Sequence, residues 1–204
     1  MMDVVVGAIV PLLVAGVVLK LSLPAASPLN LREKLAVGWH LMNAILIHMF
    51  LDGFVGFLHR IPTLYRLYCD LDKRYLIDEP SVMIVSGVEL FLMSPLCLLT
   101  VHAICQRKKW RHLLEIVLCV IQIFGTIVFA GGEIYSGFHN VPADFDFTFT
   151  MAEIVYFWIF FVVANPVWIV IPLLLIWKAW NEVLALYPSQ PEAKRTVGKP
   201  KKMQ

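Results

Sequence analysis

Charged residues are scarce in this chain. Only 16% of its 204 residues are Asp, Glu, Lys or Arg, compared with about 25% in an average soluble domain. The formal net charge is only +2 and the basic residues are scattered, which argues against a nucleic-acid partner. Hydrophobic residues make up 59% of the chain, and the mean hydropathy is +0.75. These features predict an all-α, polytopic membrane protein.

Paired cysteines and internal repeats are also missing. The four cysteines occur singly, without a CxxC pair or a Cys/His ligand spacing, so neither a disulfide framework nor a zinc site is indicated. We expect them to be small packing residues. The sequence predicts no cofactor and no metal. The lack of a repeat disfavours a transporter built from two alternating halves.

Long apolar runs predict five membrane-spanning helices, since about 20 apolar residues cross a bilayer. The first run could instead be a secretory signal peptide, but it lacks a preceding basic segment and is too long. We therefore expect a five-transmembrane-helix bundle with an intramembrane pocket over residues 1–187, and a basic tail over residues 188–204. The predicted spans are residues 4–23, 36–58, 81–105, 113–131 and 151–177.

The basic residues of the short loops predict the orientation, because they favour the cytosolic side. Arg32, Lys34, the QRKKWRH loop at 106–112 and the basic tail fall on one side of a five-span topology. This arrangement predicts a lumenal N-terminus and a cytosolic C-terminus. The final Lys201-Lys202-Met203-Gln204 looks like a dilysine retrieval signal, which predicts the endoplasmic reticulum membrane.

The most informative stretch is residues 36–58, an apolar run that contains His48 and Asp52. Four residues separate the two, so they project from one helical face. Ionisable side chains at bilayer depth cost about 2.5–3.5 kcal/mol each, and they usually face a bundle interior. A structural hydrogen-bonded pair is one interpretation. We favour the other, an acid/base pair at the floor of an intramembrane pocket.

Three more polar side chains lie in other predicted spans: Glu89, Gln122 and Asn165. Asn165 alone could satisfy carbonyls freed by Pro166, and Gln122 alone could join two helices. Trp168 follows shortly after the proline, so an amide, a broken turn and a large aromatic ring occur together. Polar groups on four helices predict one shared pocket.

These motifs resemble the emopamil-binding protein family, the sterol Δ8-Δ7 isomerases of the EXPERA superfamily. Two departures from the family pattern stand out. Asp52 replaces a glutamate, and Ser86 stands where a third-span glutamate is expected, with Glu89 three residues later on a similar face. The spacing from Glu89 to Pro95 resembles the sigma-2-receptor branch. The matching segments are His48-Met49-Phe50-Leu51-Asp52-Gly53, Arg74-Tyr75 with Pro80, Ser94-Pro95, Gln122 with Gly125, Ala164-Asn165-Pro166-Val167-Trp168, and Pro172.

The resemblance implies an isomerase that moves a ring double bond through a carbocation. Its substrate would be a sterol or triterpenoid entering from the lipid. A non-catalytic binder of sterols or cationic amphiphiles and a specialised terpenoid isomerase remain alternatives, and a homodimer is left open. The implied catalytic residues are His48, Asp52 and Glu89, and the implied substrate-binding residues are Ser86, Gln122, Asn165 and Trp168.

Overall fold

A computed structural model describes residues 28–186 and four isolated helical positions before them (13, 16, 17 and 20). Four helices in this part are long and apolar enough to cross a membrane. They are α1 (Leu31–Phe57), α3 (Pro80–Cys105), α4 (Arg111–Ser136) and α5 (Met151–Leu186), and a short helix α2 (Pro62–Leu71) joins α1 to α3.

The four long helices correspond to the second to fifth predicted spans, so the expected all-α membrane bundle is confirmed. The last helix continues past the predicted end at 177, up to Leu186. The first predicted span, residues 4–23, lies outside the described residues except for those four positions. The basic tail at 188–204 also lies outside them.

The start of α1 is fixed by a reciprocal cap. The Asn30 side chain accepts a hydrogen bond from the Glu33 backbone N–H, and the Glu33 carboxylate accepts one from the Asn30 N–H, both at 2.9 Å. Such a capping box satisfies two amides that the first turn leaves without partners. The loop at 106–110 is tied to the same place, because Arg107 forms an ion pair with Glu33.

Three of the spanning helices contain π-helical segments, in which each amide bonds to a carbonyl five residues back. These segments are Asn43–Phe57 in α1, Glu89–Met93 in α3 and Ile154–Ala164 in α5. The last two end just before Pro95 and Pro166, which have no N–H to donate. Each of these two prolines thus follows a widened turn.

The helices pack into one bundle, with α1 and α3 in the most extensive contact. A small apolar core joins α1, α3 and α4 through Ala44, Met93, Cys97 and Leu118. The Ser94 hydroxyl donates to the Ala44 carbonyl at 2.9 Å and fixes α3 against α1. All four cysteines are free thiols and three are buried, as expected of packing residues.

A buried ionic network around Arg74 covers one end of the bundle. It lies at the ends of α1 and α4 that are away from the 106–110 loop. The Arg74 guanidinium donates to Asp72 at 2.6 Å and to the Phe129 carbonyl at 2.9 Å, and lies 3.5 Å from Glu133. Burial would lower the pKa of Arg74, but hydrogen bonds and charge attraction from Asp72 and Glu133 raise it. The network holds the 72–80 segment over the bundle as a roof.

Candidate functional site

A cavity of about 380 Å³ lies beneath this roof, between all five helices. Its size falls within the roughly 300–1,000 Å³ typical of small-molecule sites. Most of its lining is aliphatic or aromatic, including Leu64, Leu67 and Leu71 on α2 and Phe160 and Phe161 on α5. The cavity is therefore suited to a mostly apolar ligand.

Three carboxyl groups line this apolar cavity. Asp72 is paired with Arg74, whereas Asp52 from α1 and Glu89 from α3 form no ion pair with a Lys or Arg of the described residues. Gly53 permits the close approach of the two helices. A Cβ at position 53 would lie 2.5 Å from Leu90 Cδ1 and 2.9 Å from the His48 carbonyl oxygen. A glycine is therefore favoured at position 53, because a larger side chain would push apart α1, which carries Asp52, and α3, which carries Glu89.

His48 lies behind the two carboxyl groups and does not itself line the cavity. Its Nδ1 is 3.4 Å from Asp52 Oδ2 and 3.9 Å from Glu89 Oε1. The side chain is 1% exposed, and neither ring nitrogen has a hydrogen-bond partner among the described residues. We call His48, Asp52 and Glu89 the cavity triad. The predicted His48–Asp52 pair and the carboxyl group of the third span thus converge.

The cavity triad has the donor types of a cation site as well as those of a proton-transfer site. One ligand atom from each residue lies within 4.8 Å of the other two. Imidazole and carboxylate donors suit several divalent metals. The sequence predicts no metal, and that stays a prediction.

Two tyrosines that the sequence analysis did not name as site residues complete the polar end of the cavity. Tyr75, from the roof, and Tyr68, from α2, both line the cavity near Ser86. Burial raises the pKa of Tyr75 well above its ordinary value, and the negative charges of Asp52 and Glu89 raise it further, whereas a hydrogen bond with Ser86 opposes the shift. The phenol therefore stays protonated and can donate a hydrogen bond.

Two of the predicted pocket residues, Gln122 on α4 and Trp168 on α5, are joined through Asn43, which the sequence analysis did not name. Asn43 Oδ1 accepts hydrogen bonds from Gln122 Nε2 at 2.9 Å and from Trp168 Nε1 at 2.8 Å. Gln122 is buried and does not line the cavity, whereas Trp168 does. Gln122 thus joins helices, which is one of the two roles the sequence left open.

Asn165 lines the cavity, but its amide nitrogen serves the helix. Nδ2 donates to the carbonyls of Phe161 at 2.9 Å and Phe160 at 3.4 Å, next to the break at Pro166. The Asn165 side chain makes no hydrogen bond with His48 among the described residues. Its Oδ1 is the atom left for a ligand hydroxyl.

A second buried ionic group lies nearer the 106–110 loop and also escaped the sequence analysis. His40 Nε2 is 3.4 Å from Glu115 Oε1, and Lys178 Nζ is 3.8 Å from Glu115 Oε2. We call these three residues the closed cluster, because none of them lines the cavity and the first two are at most 2% exposed. The sequence signal was present, since Glu115 lies within an apolar run, but its partners lie 75 and 63 residues away along the chain.

Comparisons with known proteins connect this site to named relatives. The chain is 29% identical over 126 residues to the probable 3-beta-hydroxysteroid-Delta(8),Delta(7)-isomerase of Oryza sativa subsp. japonica, and the aligned region covers 62% of this chain and 53% of the relative. It is 28% identical over 160 residues to the 3-beta-hydroxysteroid-Delta(8),Delta(7)-isomerase of Rattus norvegicus, which covers 74% and 66%. It is also 22% identical over 163 residues to protoglabretal synthase MOI1 of Citrus sinensis, which covers 76% and 72%. The chain thus spans between half and two thirds of the length of the first two relatives.

The family comparison covers most of the bundle. The model of the EXPERA (EXPanded EBP superfamily) family matches residues 57–179, more than half of the chain. This region includes Glu89, Gln122 and Trp168, whereas His48 and Asp52 precede it. The extent of the match confirms the resemblance seen in the sequence motifs, and the chain belongs to the EXPERA family.

Proposed function

We propose that this protein is a membrane isomerase that moves a ring double bond in a sterol or triterpenoid. The observation that carries the proposal is the pair of carboxyl groups, Asp52 and Glu89, on one apolar cavity with His48 behind both. Names of relatives support the substrate class, since they include Delta(8),Delta(7)-isomerases and a protoglabretal synthase. The mostly apolar lining supports a flat lipid as the ligand.

The chemistry needs one acid and one base, with no net change in protons. One carboxyl group donates its proton to an alkene carbon, which leaves a carbocation on the neighbouring carbon. The other carboxylate then removes a proton from the carbon beyond, and the double bond forms at its new position. The mechanism therefore starts with one of the two carboxyl groups protonated and the other ionised, and their oxygen atoms lie within 4.8 Å of each other.

His48 returns the pair to its starting state in this mechanism. Its Nδ1 lies within 3.9 Å of both carboxyl groups, so it can take the proton from the base and pass it to the acid. Trp168 lines the same cavity, and an aromatic face stabilises a nearby positive charge. Tyr75, Ser86 and the Asn165 Oδ1 atom are the candidate partners of a substrate hydroxyl.

Glu89→Gln tests the proposal. Glutamine keeps the size and hydrogen bonding of the side chain but cannot relay a proton, so isomerisation should fall about 100-fold or more while a neutral sterol still binds. Product formation from a Δ8 sterol, measured by sterol profiling in isomerase-deficient cells and with purified protein, gives the readout. Glu115→Gln is the matched control, because it changes a buried glutamate of the closed cluster. Full activity of Glu89→Gln would remove Glu89 from the mechanism.

A second candidate function is the binding of cationic amphiphiles without turnover. It is favoured by one observation: among the described residues, no Lys or Arg forms an ion pair with Asp52 or Glu89, so a protonated amine could neutralise them. In that case Glu89→Gln should weaken amine binding, and the wild-type protein should convert no sterol. Sterol profiling and amine binding on the same preparation distinguish the two functions.

We further propose that the protein resides in the endoplasmic reticulum with its C-terminus in the cytosol. The Lys/Arg bias of the loops and the lysines near residue 201 support this placement. Protease treatment of sealed microsomes should digest a tag attached after Gln204 and leave a lumenal marker intact. A protected tag would reverse the orientation.

A further inference from the structure

We propose that Asn43 is a positioning residue that sets the orientation of the Trp168 indole in the cavity. Asn43 is fully buried in the π-helical segment of α1, five residues before His48. The position of Asn43 is therefore set by the same π-helical segment that carries His48. The effect on substrate binding rests on the proposed function, whereas the effect on the indole does not.

Asn43 forms hydrogen bonds with three residues, and these residues lie on three different helices. Its Oδ1 accepts from Trp168 of α5 at 2.8 Å and from Gln122 of α4 at 2.9 Å. Its Nδ2 donates to the Trp39 carbonyl of its own helix at 2.9 Å. Because a carbonyl oxygen has two lone pairs, the acceptor capacity of Asn43 is filled by these two donors.

The indole of Trp168 is held by this single polar contact. An indole has one N–H and no acceptor, and among the described residues Asn43 is the only partner of the Trp168 N–H. Losing this partly buried hydrogen bond costs about 0.5–1.5 kcal/mol, so rotation of the ring away from Asn43 is penalised. The ring also packs against Trp39, with centroids 5.9 Å apart and planes tilted by 47°. One polar and one aromatic contact together restrict its plane.

The restriction matters because the other side of Trp168 faces the cavity. Attraction between a cation and an aromatic ring depends on the cation lying over the ring face, so a rotated ring would stabilise a carbocation less well. A fixed indole also gives a flat ligand one preferred plane. Asn43 therefore acts on the ligand through Trp168, without touching the cavity itself.

The first test needs no ligand. In protein with ¹⁵N-labelled tryptophan, kept in detergent micelles, the Trp168 indole signal is identified by its loss in Trp168→Phe. Asn43→Leu removes the acceptor at similar size and should move that signal, whereas Thr100→Val should not. Thr100 is the matched control, because it is a fully buried polar side chain whose hydroxyl donates within α3, to the Leu96 carbonyl.

Asn43→Asp is the conservative variant that should restore the wild-type signal. A protonated aspartic acid reproduces the pattern of the asparagine: its C=O accepts from Trp168 and Gln122, and its O–H donates to the Trp39 carbonyl. An unmoved indole signal in Asn43→Leu would overturn the proposal whatever the activity of the protein.

The second test is a double-mutant cycle on ligand affinity, measured by energy transfer from tryptophan to the fluorescent sterol dehydroergosterol. Asn43→Leu should weaken binding about tenfold, which corresponds to about 1.4 kcal/mol. In the Trp168→Phe background the same change should alter affinity less than twofold, because Asn43 then has no indole to orient. Equal effects in both backgrounds would mean that Asn43 acts independently of Trp168, and the positioning role would be wrong. If the wild-type protein neither binds nor converts sterols, the proposed function fails while the indole signal still decides the role of Asn43.

Discussion

The cavity triad and the closed cluster each pair a histidine with a carboxyl group, and they differ in the third residue, which is Glu89 in the triad and Lys178 in the closed cluster. Both have a buried histidine about 3.4 Å from a carboxylate. In the closed cluster, Lys178 balances Glu115, and neither His40 nor Glu115 is more than 2% exposed. In the cavity triad, two carboxyl groups share one histidine, and they are 16% and 21% exposed. Buried charge that is balanced stabilises packing, whereas unbalanced charge facing a cavity is available for chemistry.

The largest expected effect is the loss of turnover when the cavity triad is changed. Asp52→Asn should lower product formation about 100-fold, since general acid/base groups typically contribute a factor of about 10² to 10⁴. The melting temperature and purified yield should stay near wild type, because no Lys or Arg of the described residues forms an ion pair with the Asp52 carboxyl group. Sterol turnover and thermal unfolding of the same sample give the measurement. Equal collapse of yield and activity would instead support the structural pair.

Changing the closed cluster should give the opposite pattern. Glu115→Leu leaves His40 and Lys178 without their carboxylate, and breaking a buried ion pair in this way costs about 3–5 kcal/mol, with less expected here because Lys178 is partly exposed. The melting temperature should fall clearly, while activity per folded molecule remains. Thermal unfolding of Glu115→Leu and wild type in mild detergent measures the fall in melting temperature. If activity per folded molecule falls as far as in Asp52→Asn, the distinction between the two groups is wrong.

A smaller effect should follow from pushing apart the walls that carry the triad. Gly53→Ala places a methyl group against Leu90 and the His48 carbonyl, and overpacking of this kind costs about 1–3 kcal/mol. Activity should fall more than binding, because the Asp52–Glu89 spacing changes while the cavity persists. Gly38→Ala is the control, since nothing lies within 4 Å of a Cβ there. Equal behaviour of the two variants would show that the close approach at Gly53 is unimportant for the site.

Composition predicted the four spans that the structure describes, and helical spacing predicted the pairing of His48 with Asp52. The place of Glu89 beside them was implied by the family resemblance and by the presence of polar residues in several spans. The sequence did not reveal Asn43. A lone asparagine in an apolar run has many structural explanations, and its partner Trp168 lies 125 residues away. It also missed Tyr75, which reaches the cavity only because the Arg74 network folds its segment back over the bundle. Contacts of this kind depend on tertiary geometry, which local patterns do not encode.

The π-helical segments are places where one part of a helix can be rotated relative to the rest of it, which changes the side chains that face the cavity. An α-helix turns about 100° per residue, so deleting one residue within Glu89–Met93 would rotate Glu89 by that amount relative to Ser94 and the rest of α3. The part of α3 that packs against Ala44 could keep its contacts while the cavity received a different set of side chains. Single-residue insertions and deletions in these three segments are therefore a route by which one bundle can present new chemistry to a lipid.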